Sequence, residues 1–459
     1  MRAHLTAALL LATPALATPA LAQSKGHTAD DLTRLAAANS PTLAQAIRDT
    51  FPAKDLAEGT AFRGHLHTFF FATEAPTAPT LVIDEADSNP ANPVQQLPMQ
   101  PVPNSNLFYA PAEIQQLGTL HRFAYTVAGK PFGGRLDLPA FTPDHYGQTG
   151  VPAGTLSPKL SHTSRIYDDM QTDYWIYVPA QYDPKTPAAL MVFQDGSGYG
   201  NHDGDHGILN DLDNLIAQGK IPVMIAVFID PGDISARPGT PTYTAVDAYS
   251  KKWSRTLKDS LRSVEYDTVS DRYARFLRDE VLADVGAKYN LRKDPYSRAI
   301  TGLSSGGICA FNAAWQQPDQ FARVLSWIGS FTAIQWHEDP AVADGGQDYP
   351  EKVLREPRRN LRVWLEDGAN DMENDRYGSW PLANLRMANA LHLKHYDSHL
   401  SFSHGTHNPA HGAAEFPEAM TWLWRGYDPA RSSETFQPDP AETTQPPLRV
   451  QISNPRVTR

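Results

Sequence analysis

Apolar and polar positions change rhythm along the chain. Between about Arg63 and Tyr146 they alternate with the period of two expected of half-buried strands, in runs such as Leu66-His-Thr-Phe-Phe-Phe71, Thr80-Leu-Val-Ile-Asp84 and Leu120-His-Arg-Phe-Ala-Tyr-Thr-Val127. A small all-β sandwich is predicted over residues 58–150, with the Pro-rich stretch from Asn89 to Asn104 as a long loop within it and Pro143 to Leu156 as the linker out of it. Before it, residues 23–57 carry two short helical patterns that predict a surface lead-in, the second opening at Ser40-Pro41, where serine caps and proline suits the first helical position.

Beyond Leu160 the strands become continuous apolar runs: Asp173-Tyr-Trp-Ile-Tyr-Val178, Ala189-Leu-Met-Val-Phe193, Val223-Met-Ile-Ala-Val-Phe228, Ala299-Ile-Thr301, Val324-Leu-Ser-Trp-Ile328 and Leu361-Arg-Val-Trp-Leu365. Segments of helical spacing lie between most of them, for example Asp271 to Tyr289. This alternation predicts an α/β domain over residues 160–428, with a mainly parallel, doubly wound sheet covered on both faces and ligands at the carboxyl ends of its strands. After Asp428 periodicity ends while Pro, Ser, Thr and Gln accumulate, which predicts a disordered tail over 429–459.

At 459 residues and 41% hydrophobic content, the chain can bury more than one core. Its start, Met1-Arg-Ala-His-Leu-Thr-Ala-Ala-Leu-Leu-Leu-Ala, has one basic residue before an apolar run, and Ala20-Leu21-Ala22 places small residues at the cleavage-determining positions. A signal peptide over residues 1–22 is predicted, with a cut after Ala17 as the alternative, and hence a periplasmic or secreted protein. Pro14 and Pro19 oppose a spanning helix, no cysteine follows for lipid attachment, and no later run is long and apolar enough to cross a bilayer. The single cysteine, Cys309, has no partner for a disulfide and sits where packing is expected of it. A net charge of −11 without clustered Lys or Arg disfavours nucleic acid as a partner.

The most specific chemistry lies in Tyr296-Ser-Arg-Ala-Ile-Thr-Gly-Leu-Ser-Ser-Gly-Gly-Ile-Cys-Ala-Phe311, where a short strand runs through G-x-S-x-G into a small-residue helix. Gly302 and Gly306 permit the tight strand-to-helix turn of a nucleophile elbow, which presents Ser304 at a helix N-terminus and turns the Ser305 N–H toward a developing oxyanion. A serine hydroxyl is a weak nucleophile and needs an imidazole to take its proton and a carboxylate to orient that imidazole. Asp367, Asp371 and Asp375 follow one strand, and His404, His407 and His411 follow the next, in the serine–acid–histidine order of α/β-hydrolases. The turn Gln194-Asp-Gly-Ser197 lies where a second oxyanion donor is expected, with the Ser197 N–H as its candidate.

Residues from about Tyr174 to Trp424 closely resemble the esterases of the enterochelin-esterase and esterase-D type, which include feruloyl and acetylxylan esterases. The matching stretches are Tyr177-Val-Pro-Ala-Gln-Tyr182, Phe193-Gln-Asp-Gly196, Arg262-Ser-Val-Glu-Tyr-Asp267, Gly302-Leu-Ser-Ser-Gly-Gly307, Asp367-Gly-Ala-Asn-Asp371, Trp380-Pro-Leu-Ala-Asn384 and His407 through Gly412. The resemblance implies the α/β-hydrolase fold and an ester-cleaving Ser304–His407–Asp371 triad that needs no cofactor, with a small-molecule or carbohydrate-linked ester as substrate. Thr406 departs from the pattern, standing where a second glycine is common. Tyr125 through Gly134 and Leu138-Pro-Ala resemble the β-sandwich domain that precedes such catalytic domains and is akin to carbohydrate-binding modules; a packing role at one wall of the cleft is the alternative.

Arg262 and Glu265 are candidates for substrate contact or for a buried ion pair over the elbow. Trp253, Trp336 and Trp380 are candidates for an aromatic surface near the site. Two other functions compete with a serine esterase. His202-Asp-Gly-Asp-His206 has some of the spacing of dinuclear metallohydrolases, with Gly204 where a further histidine is expected. A non-catalytic carbohydrate-binding protein on a hydrolase scaffold would instead be expected to carry a broken triad.

Overall fold

The computed structural model describes residues 26–85, 94–199, 207–234, 239–335 and 345–444. The predicted signal peptide, the loop holding His202 and His206, Trp336 and residues 445–459 lie outside the described residues.

The N-terminal region is a sandwich of two four-stranded antiparallel sheets. One runs Ala61–His65, Thr68–Glu74, Leu107–Glu113, Gln100–Pro101, and the other Gln95–Pro98, Thr80–Glu85, Thr119–Val127, Lys130–Ala140. Side chains alternate across a strand, so the run Phe69-Phe70-Phe71-Ala72 requires cover on both faces. Phe69 and Phe71 meet Leu81, Phe123, Tyr125 and Leu138 of the opposing sheet, while Phe70 and Ala72 face helices Ala29–Ala37, Leu43–Thr50 and Ala53–Glu58. These helices are therefore more than the expected lead-in: Leu32, Ile47 and Leu56 are fully buried against the sheet. The second starts at Leu43, after a turn in which the Leu43 N–H meets the Ser40 carbonyl, and not at Pro41. Two short strands, Gln95–Pro98 and Gln100–Pro101, also occupy the stretch expected to be a loop.

The second region is a nine-stranded sheet with six consecutive parallel strands that run to one edge, in the order Met224–Ile229, Ala189–Gln194, Arg298–Leu303, Arg323–Trp327, Arg362–Asn370 and Asp397–Thr406. Met170–Val178 pairs antiparallel at one edge, followed by Leu160–Ser164 and Thr155–Leu156. Helices cover both faces, which explains the unbroken apolar runs. Leu190, Val192 and Ile300 pack into one core and Ala189, Met191 and Phe193 into the other.

The segment from residue 429 to 444, expected to be disordered, lies against this domain. Phe436 is fully buried, with the Arg323 and Arg362 guanidinium carbons 4.9 and 4.4 Å from its ring centre, and its N–H donates to Asn360 Oδ1 at 2.9 Å. This ring packed on two arginines, with bonds from Arg292, Arg358 and Asn360 to the carbonyls of Pro429, Arg431, Phe436 and Glu434, holds a polar segment that its composition alone would leave loose. Phe436→Ala is expected to lower the unfolding free energy by about 3 kcal/mol, measured by urea denaturation; a loss below about 0.5 kcal/mol would contradict docking of this segment.

Candidate active site

The strand Arg298–Leu303 is buried between two parallel neighbours and passes directly into helix Ser305–Gln316. Ser304 forms the junction with φ 57° and ψ −120°, a conformation that an L residue adopts only when its surroundings impose it. Here the Ser304 N–H donates to the Trp327 carbonyl at 2.9 Å, and the Ser304 carbonyl accepts from Ser330 and Gly307 at 3.0 and 2.9 Å. A Cβ on Gly302 would lie 2.4 Å from the Gly306 oxygen, and one on Gly306 would lie 3.0 Å from both Gln194 Cβ and Asp195 Oδ2. Gly302 is thus required by close backbone approach, and a Cβ on Gly306 would press on the Gln194 and Asp195 side chains, as expected for a nucleophile elbow.

Ser304, Asp371 and His407 come together at the carboxyl ends of three parallel strands. His407 Nε2 lies 2.8 Å from Ser304 Oγ, and His407 Nδ1 lies 2.6 Å from Asp371 Oδ1. The Asp371 side chain is fully buried while the imidazole is 19% exposed. Donation of the Nδ1 proton to Asp371 leaves Nε2 as the acceptor that faces the serine hydroxyl, the tautomer a general base requires. The Trp380 ring stands edge-on to His407 at 5.6 Å, and its Nε1–H donates to Ser330 Oγ, itself 3.3 Å from Ser304 Oγ.

The strand before the acid continues to Asn370, so Asp367 lies within it and Asp371 just beyond its end. Asp367 does not reach His407. It accepts from the Gly368 N–H and from Asn384 Nδ2, each at 2.7 Å. Burial, and next its contact with Asp371, push Asp367 well above the usual carboxylate range. It therefore keeps its proton at neutral pH, and the two acids share one negative charge. His411, an alternative base, is buried between Glu366 and Glu415, with Nε2 2.6 Å from Glu415 Oε1. Burial opposes its charge, but the two carboxylates outweigh burial and push the imidazole well above its usual range. His404 is likewise buried, on the strand before the loop.

Ser305 occupies the first position of the helix, where an N–H has no acceptor within the helix. The Ser197 expectation is corrected: its N–H donates to Asp230 Oδ1 at 2.8 Å and so does not face the serine. Asp195 causes this by adopting a left-handed conformation, φ 58° and ψ 47°, at the entry to the turn. The N–H groups of Asp195 and Gly196 donate to no backbone acceptor among the described residues, which leaves them as donors at this strand end.

Arg262 and Glu265 do not pair with each other. Arg262 forms a two-pronged bond to Asp195, 2.7 Å on each arm, and so braces the turn beside the elbow. Glu265 accepts the Gly232 N–H at 2.8 Å, and burial pushes its carboxyl up to about 8. Trp253 lies beside Tyr377 and under Arg376 and Lys252. Sequence reasoning missed the roles of Asp195 and Ser330; the block Arg262 to Asp267 was the available signal for the first.

Among known proteins, residues 166–423 match the family model described as "Putative esterase". An Iron(III) enterobactin esterase of Dickeya dadantii (strain 3937) is 22% identical over 311 residues, covering 64% of this chain and 62% of that protein. The uncharacterized protein YbbA of Bacillus subtilis (strain 168) is 21% identical over 169 residues, covering 37% of this chain and 59% of that protein. The chain thus spans less than two thirds of the length of these curated relatives. Among solved structures, the enterobactin esterase FES from Shigella flexneri in the presence of enterobactin aligns at 15% identity and a TM-score of 0.49, over 79% of this chain and 94% of its own. A ferulic acid esterase from the anaerobic fungus Anaeromyces mucronatus aligns at 16% identity and a TM-score of 0.46, over 63% and 98%.

The buried Glu265 leads to a pH test. Its folded value of about 8 exceeds its ordinary 4.5, so between these limits the folded state retains a proton that the unfolded chain releases, and raising pH costs stability. Glu265→Gln removes that cost while keeping an acceptor for Gly232. Its stability relative to wild type is expected to improve by about 3 kcal/mol between pH 5 and pH 8, read from urea midpoints; a difference that stays constant over this range would refute the assignment.

Proposed function

The chain belongs to the esterase family whose model spans residues 166–423, and from that membership we propose that it is an exported serine hydrolase of carboxylic esters. The observation that carries the reading is the continuous hydrogen-bonded path from Ser304 through His407 to Asp371, at 2.8 and 2.6 Å. Export rests on the basic, apolar and small-residue order of residues 1–22.

In this mechanism Ser304 Oγ attacks the ester carbonyl carbon as its proton passes to His407 Nε2. Asp371 accepts the hydrogen bond from Nδ1–H and stabilises the imidazolium, while Asp367, neutral behind it, adds no second charge. The oxyanion of the tetrahedral intermediate faces the Ser305 N–H and a donor from the Asp195–Gly196 turn, and the helix dipole favours the same negative charge. Collapse of the intermediate breaks the ester C–O bond, and His407 Nε2 returns its proton to the departing alcohol, leaving acyl-Ser304. Water then attacks the acyl carbon with His407 again as base, which releases the carboxylic acid and restores Ser304. The substrate is a small or carbohydrate-linked ester that reaches the carboxyl edge of the sheet.

Hydrolysis of p-nitrophenyl acetate by the mature protein tests the reading. Ser304→Ala is expected to lower kcat by about 10⁴-fold or more and Asp371→Asn by about 10³- to 10⁴-fold, with a chelator having no effect. Activity that survives Ser304→Ala but disappears with the chelator would overturn it and direct attention to His202 and His206.

A further inference from the structure

Asp137 belongs to the N-terminal sandwich, on strand Lys130–Ala140, yet its carboxylate is bonded to the residue that precedes the proposed catalytic base. The Thr406 N–H donates to Asp137 Oδ1 at 2.9 Å, and the Thr406 hydroxyl donates to Asp137 Oδ2 at 2.6 Å. Strand alternation explains how an acid comes to lie there. Leu138 points into the sandwich core, so its neighbour Asp137 points to the opposite face, where the catalytic domain covers it to 7% exposure. A register shift in the pairing of this strand with Thr119–Val127, between the His121–Leu138 and Phe123–Arg135 pairs, inserts one extra residue and re-aims the strand at this point.

We propose that Asp137 is a positioning residue for His407, so that the N-terminal domain takes part in catalysis by fixing the loop that carries the base. This rests on the serine esterase reading and adds to it. The loop is held from both sides. From the catalytic domain, Asn370 Nδ2 donates to the His404 carbonyl at 2.6 Å; from the sandwich, Asp137 takes both the N–H and the hydroxyl of Thr406. On the far side of His407, the Asn408 N–H donates to the Thr406 carbonyl at 2.7 Å, and Asn408 Oδ1 accepts from the Ala410 N–H at 2.7 Å. Asp137 thus reaches from outside the catalytic domain to Thr406, the last residue of strand Asp397–Thr406 and the one directly before the base. A bond to each carboxylate oxygen fixes the orientation of Thr406 as well as its position, and the β-branched side chain leaves few other rotamers to adopt. An imidazole that must keep 2.8 Å to Ser304 Oγ and 2.6 Å to Asp371 depends on that backbone. Displacements of the order of 1 Å cost turnover rather than ground-state binding.

The test separates positioning from domain adhesion. Ester hydrolysis by the full mature protein is measured for Asp137→Ala, Asp137→Asn, Thr406→Val, the Asp137→Ala/Thr406→Val pair and Ser304→Ala. Asp144→Asn serves as the adhesion control, because Asp144 also bonds the catalytic domain, through Gln218 at 2.6 Å and Lys220 at 3.2 Å, away from the His407 loop. Asp137→Ala is expected to lower kcat about 10- to 100-fold with KM within about twofold. Asp137→Asn, which keeps one acceptor oxygen, should fall between it and wild type. The double variant should be no slower than Asp137→Ala alone, since both changes break the same contact, and Asp144→Asn should keep wild-type kcat. Wild-type kcat in Asp137→Ala, beside an inactive Ser304→Ala, would overturn the inference and leave the serine mechanism standing. A kcat loss that Asp144→Asn shares in proportion to its fall in melting temperature would overturn it too, by reducing Asp137 to an adhesive contact. Activity retained by Ser304→Ala would instead sink the mechanism itself. Should Asp137→Ala fail to fold, Asp137→Asn and Thr406→Val decide on the same criteria.

Discussion

A parallel sheet covered on both faces leaves its strands only one kind of outlet. Each chain segment must leave at the carboxyl end, turn, and return as a helix or crossover, so polar side chains that the buried strands cannot accommodate accumulate along one edge. Six consecutive parallel strands here place Ser304, Asp371 and His407 on that edge, although more than a hundred residues separate the first from the last. The remaining features adjust this arrangement. Arg262 braces Asp195 beside the elbow, Trp380 and Ser330 border His407 and Ser304, and Asp367 supplies a neutral acid behind Asp371.

Buried charge is handled differently on the two sides of the acid strand. Asp367 and Asp371 are close enough that one proton is retained, which keeps the carboxylate facing His407 the only charge of that pair. Glu366, the preceding residue, points to the other face of the same strand and meets His411, where the imidazole is flanked by Glu415 as well. Strand alternation thus places two adjacent acids in unlike surroundings, one neutral against Asp371 and the other facing a cation.

How far the site could be read from the chain depended on whether the deciding contact was local. The elbow was legible because its requirements, a strand, two glycines and a small-residue helix, occupy one continuous stretch. The choice between Asp367 and Asp371 was not, because the strand runs to Asn370, five residues past the apolar run that announced it. The Ser197 N–H was illegible for a related reason: its acceptor, Asp230, lies just past the end of strand Met224–Ile229, 33 residues away. The three N-terminal helices looked like a surface lead-in until Phe69, Phe70 and Phe71 were seen to need cover on both faces of one strand. In the C-terminal segment the Phe436 ring and the bonds from Arg292, Arg358 and Asn360 outweigh a composition that otherwise points to disorder. The contact between Asp137 and Thr406 spans 269 residues and two domains, and no local pattern could announce it.

Ser304 keeps its φ of 57° and ψ of −120° because backbone hydrogen bonds with Trp327, Ser330 and Gly307 hold it there, and a residue in such a region carries about 1–3 kcal/mol of strain. Glycine alone among the amino acids could occupy that position without strain, and glycine has no hydroxyl. Heat resistance and turnover therefore make opposite demands on one pair of backbone angles. A lineage screened only for surviving high temperature would gain by giving up its proposed nucleophile, whereas one screened for both must find its extra stability elsewhere, in the two cores of the sheet, the sandwich or the ring packed on the arginines.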